Sequence, residues 1–151
     1  MPMPSTYQRA TEEWRAFLDD VKGEMDLVSD NMAYTAVDGV FQVFRQRLTA
    51  QQGLDFASVL PAVLRAVFVK DWDVSVDPVA FADRETMTQE AQELRRHHNL
   101  TPDNAIEATG RAIRRCTEPS EFERVLATLP KEAQDFWREG MASAARATDR
   151  V

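Results

Sequence analysis

One cysteine in 151 residues leaves no partner for an internal disulfide and excludes a multi-cysteine zinc site. Histidine is confined to the adjacent pair His97-His98. The 5 glycines form neither a Gly-x-Gly-x-x-Gly turn nor a Walker loop, so no glycine-rich phosphate cradle exists. No Ser/His/Asp set and no EF-hand ligand pattern is present, and neither a metal nor a cofactor is expected. No apolar run approaches the roughly 18 residues that a membrane span needs. Basic residues number 18 against 25 acidic, a net charge of −7, and such a surface repels phosphate backbones. Met1-Pro2-Met3-Pro4-Ser5-Thr6 lacks the basic lead and apolar core of a signal peptide, which points to a cytoplasmic protein.

What the chain has is helical periodicity. Hydrophobic residues make up 44% and recur at steps of three and four rather than two. Tyr7, Trp14, Leu18, Val21 and Met25 mark one stripe of a helix over about 6–25. Ala33, Ala36, Val37, Val40, Phe41, Phe44 and Leu48 mark the next, capped by Ser29, Asp30 or Asn31. Thr49 with Gln52 spells a capping box for a short third helix ending near Leu60. Pro61 cannot continue that helix but suits the start of a fourth, 62–71, which is apolar almost all round.

The second half repeats this order. Asp83 caps a helix carrying Met87, Ala91, Leu94 and His98. Thr101 with Pro102 opens one through Ala112, Ile113 and Cys116, and Ser120 with Glu123 opens another. Leu129-Pro130 turns into a last helix with Phe136 and Trp137 that Gly140 can end. Asp30-Asn31 and Asp103-Asn104 stand 73 residues apart, the two Leu-Pro corners 69, which predicts four residues lost around Cys116–Pro119. The predicted fold is all-α: two pseudo-repeats, 6–72 and 83–140, of about four helices each, in one domain over 6–140. A loose tail precedes it (1–5) and a tail or helix extension follows (141–151). The connection 73–82 is too apolar for a floppy linker, so Val74, Val76, Val79 and Phe81 are expected to pack along the core. The first corner is expected at the centre and the second nearer the surface.

These residues have a familiar pattern. Ala36 to Thr49, ending in Arg45-Gln46-Arg47-Leu48-Thr49, and then Leu54 to Phe68 with its Leu-Pro, resemble the bacterial domain-of-unknown-function family 2267. Leu94 to Leu100 and Val125 to Trp137 resemble that family's second copy, so the likeness spans about residues 7 to 138. It implies a compact helical repeat domain without an assigned activity, and no catalytic or binding residue to carry over.

Few groups suggest chemistry. His97 and His98 point about a hundred degrees apart on a helix and cannot chelate one ion. Cys116 has Arg114 and Arg115 beside it but sits at a helix C-terminus, where the dipole opposes a thiolate. Arg95, Arg96, Arg111, Arg114 and Arg115 form the one basic cluster and could contact an anion, yet glutamates intersperse them. The sequence therefore favours a non-enzymatic interaction or structural module that binds a protein or peptide through a groove between the halves or through Trp72, Phe136 and Trp137. The alternative is a small-molecule or anionic-ligand binder or enzyme built on His97, Cys116 and the arginines. Homo-oligomerisation through an uncovered apolar face is a further expectation.

Overall fold

The computed structural model describes residues 3–94 and 101–138, and within them every regular element is helical. The chain runs α1 (Ser5–Gln8), α2 (Ala10–Glu24), α3 (Asp30–Arg45), α4 (Ala50–Ala57), α5 (Ala62–Val69), α6 (Arg84–Glu93), α7 (Ala105–Cys116) and α8 (Pro119–Thr128). A ninth helix, α9, occupies 131–138. The all-α expectation holds. His98 and Gly140, expected to end two of the helices, and the 141–151 extension lie outside the described residues.

Local chemistry sets most boundaries. Ser29 accepts the Met32 amide at 3.2 Å and Asp83 the Thr86 amide at 2.7 Å, each satisfying a first-turn donor. Thr49 and Gln52 close the capping box, with reciprocal bonds of 3.2 and 2.9 Å. At the end of α2, Asp26 adopts φ 54, and the amides of Asp26 and Leu27 return to Gly23 and Lys22 in the Schellman pattern.

Three expectations need correction. The first helix is broken at Arg9 (φ −98, ψ 8), and Tyr7 stands 50% exposed instead of joining the core stripe. Thr101 does not open α7, which starts at Ala105 after Asn104. Ser120 is not the cap of α8: Glu118 is, accepting the Glu121 amide at 2.8 Å ahead of Pro119.

The Leu-Pro corners are built alike. Pro61 and Pro130 each directly precede a helix. Four residues on, Arg65 Nη2 donates to the Leu60 carbonyl at 3.2 Å and Gln134 Nε2 to the Leu129 carbonyl at 3.0 Å. Each bond supplies a donor to the carbonyl just before the proline. A second pair does the same for the following helix: Arg45 Nη1 donates to Phe68 O at 2.8 Å, and Arg114 Nη1 to Trp137 O at 2.7 Å.

One continuous core spans both halves. α2 packs most against α7, and α3 most against α6, where Gly39 lets the Ala91 carbonyl approach within 3.0 Å of the position a Cβ would take. Phe44 is the hub, with ring centres of Phe136, Trp137 and Phe56 at 4.8, 5.0 and 5.0 Å. Pro130, Lys131 and Glu132 are exposed where Pro61, Ala62 and Val63 are half-buried, so the second corner does lie nearer the surface, although Phe136 and Trp137 beyond it are each 2% exposed. Of the connection 73–82, only Phe81 reaches the core. Val74, Val76 and Val79 are 58%, 64% and 46% exposed, a reversal of the packing expected from their apolarity.

Candidate functional site

Those exposed valines belong to an arch. A turn closes α5: Lys70 takes φ −56, ψ 123, Asp71 takes φ 56, and the Trp72 amide returns to the Val69 carbonyl at 3.2 Å. This is type II geometry, with an aspartate where glycine is usual. The turn lays Trp72 on Gly53 of α4, where a methyl group would collide with the indole. The chain then crosses the last turn of α3, held by the Val79 amide on the Gln46 carbonyl at 3.0 Å. Between this arch, α3 and α6 lies a groove of about 980 Å3.

Two arginines from the end of α3 build its floor. Arg47, its side chain 2% exposed, donates to the carbonyls of Ala80 and Val43 at 3.0 and 2.8 Å. It also grips both oxygens of Glu90 on α6 at 2.9 and 3.0 Å, the bidentate geometry its fork favours. One side chain thereby ties the arch, α3 and α6 together. Arg45 donates to the carbonyls of Phe68 and Lys70, where a cation complements the C-terminal end of α5. Burial pulls its guanidinium below the ordinary value. Both cations are turned inward. Outward stand Val74, Val76, Val79 and Leu94, the last 46% exposed, with Asp73 and Asp77 on the rim. The Ser75 hydroxyl and amide bond the Asp73 carboxylate and hold it below the usual range, so it is ionised at neutral pH.

Of the residues singled out from sequence, Trp72 lines this groove, half-buried. Phe136 and Trp137 do not serve as a surface, because both are spent in the core. Arg95, Arg96, His97 and His98 lie outside the described residues. Arg111, Arg114 and Arg115 are already engaged within the chain. Arg111 meets Glu24 at 2.9 Å, and Arg115 meets Asp20 and Glu24 at 2.7 and 2.8 Å, joining α7 to α2. Arg114 holds the Trp137 carbonyl and faces Glu123 at 3.6 Å. Burial pushes the Cys116 thiol up to about 12, which leaves it protonated and non-nucleophilic at neutral pH. Among the described residues no cluster of three or more His, Cys, Asp or Glu is placed to hold a metal. No helix there is long and apolar enough to cross a membrane. The valines of the arch are visible in the sequence, but their apolarity alone points to the core. The signal that could have found the site is the Val74-x-Val76-Asp77-Pro78-Val79 run, apolar yet without helical period.

The Glu24 knot carries a pH dependence. The hydrogen bond from Arg115, followed by that from Arg111, holds its carboxyl below 4.5. A depressed folded value adds stability above the unfolded value, and that stability is lost as pH falls through the folded one. Glu24→Gln is expected to cost about 1 kcal/mol at pH 7 in chemical denaturation, a cost that should shrink as pH falls through the folded value of the carboxyl.

The geometry defines a small all-α module with an open, apolar-rimmed groove and no assembled catalytic set among the described residues. The profile of the uncharacterised conserved protein family DUF2267 matches residues 14–136, and the chain belongs to that family. Comparison with curated proteins finds no match.

Proposed function

We propose that this protein is a non-enzymatic interaction module that docks a protein segment in the groove between the 73–82 arch, α3 and α6. The observation that carries the reading is the outward display of Val74, Val76, Val79 and Leu94 around one concavity, while the charged groups beneath are satisfied internally. Clustered exposed apolar side chains beside a concave surface are a mark of binding sites. Selection of a displayed random-peptide library on the wild type and on a Val76→Asp/Val79→Asp variant tests it. Both side chains are exposed, so the variant should fold with an unchanged melting temperature. Peptides should enrich on the wild type alone. Equal enrichment on both, or none on either, would overturn the reading.

We also propose that the halves are copies. Arg45 and Arg114, Thr49 and Glu118, and Arg65 and Gln134 each stand 69 residues apart and do the same work. The duplication supplies the scaffold, and the arch after the first copy supplies the groove.

A further inference from the structure

We infer that the groove's occupant is an apolar segment of a partner protein carrying basic residues; this rests on the groove being a docking site. The apolar contacts on offer are Val74, Val76, Val79 and Leu94, which stand exposed around one concavity.

Charge selects which peptide. The cations that line the groove are committed: Arg47 to Glu90 and to two carbonyls, Arg45 to the carbonyls of α5. The exposed rim charges of the arch are Asp73 and Asp77, with Asp73 held ionised by Ser75. Val74, Val76 and Val79 intersperse these carboxylates, so the complementary segment interleaves apolar and cationic side chains. An acidic partner would meet like charge, in a chain whose overall charge is −7.

Fluorescence anisotropy with the full chain tests this, using two labelled eight-residue peptides: one alternating valine with lysine, the other valine with glutamate. The lysine peptide should bind at least about tenfold more tightly, with an affinity that falls as salt rises. Asp73→Lys/Asp77→Lys should invert the preference. Glu12→Lys/Asp19→Lys, a reversal of equal size at exposed α2 positions that do not line the groove, should leave binding within about twofold. Equal binding of both peptides would overturn the basic-partner inference while leaving the groove a docking site. Equal weakening by the remote reversal would overturn it too, since net charge alone would then be at work. Binding of neither peptide, with concentration-dependent dimers that Val79→Asp abolishes, would overturn it in favour of a second copy of this chain. Binding of neither, with library selection also empty, would sink the docking reading itself.

Discussion

Phe44→Ala is expected to lower the unfolding free energy by about 3–5 kcal/mol, the usual cost of emptying a fully buried aromatic site. Phe44 is fully buried and touches the rings of Phe56, Phe68, Phe81, Phe136 and Trp137, drawn from α4, α5, the arch and α9. No single neighbour can collapse into the void, because each is held by others: Phe56 stacks on Trp137 at 5.7 Å, and Phe136 meets Trp137 at 4.8 Å. Against a typical total of about 5–15 kcal/mol, the loss removes a large share. In urea the midpoint should fall sharply with an unchanged slope, whereas Val28→Ala, at a 90% exposed position, should shift it by less than about 0.5 kcal/mol. A Phe44 effect below about 1 kcal/mol would contradict the central role of this ring.

Glu90→Ala should cost about 3 kcal/mol, at the lower end of the range for stranding a buried ion-pair partner. Arg47 would keep its charge at 2% exposure with only carbonyls to meet it, while Glu90 itself, at 37%, is open enough for water to soften the loss. The double variant Arg47→Met/Glu90→Met should recover more than half, since neither charge is then left behind. Denaturation of the four proteins in the cycle measures the coupling. The same substitutions loosen the arch, because Arg47 Nε holds the Ala80 carbonyl at 3.0 Å, so groove binding should fall in parallel.

The fold was legible where local chemistry decides it. Ser29, Thr49 with Gln52, and Asp83 are good acceptors at the right offset, and each caps the helix it precedes. Glu118 is a poor cap by type beside Ser120, although its spacing from Glu121 equals that of Thr49 from Gln52. Phe136 and Trp137 looked peripheral beside Lys131 and Glu132, because their burial depends on Phe44 and Phe56 far away in sequence. The groove was hidden for a related reason. Apolarity alone made core of Val74, Val76 and Val79, and nothing local announces that Arg47 will reach Glu90, 43 positions on, and pin the arch outward.

The packing of α2 on α7 and α3 on α6 bears on how the chain acquires its structure. Each half lends a long helix to cover the other, so the apolar faces of Phe17, Val21, Val40 and Phe44 are finished only by residues from beyond the arch. During synthesis the first seventy or so residues therefore emerge with those faces open. Closure waits until α7 and α9 have left the ribosome, and these closing contacts span long stretches of chain, which slows folding.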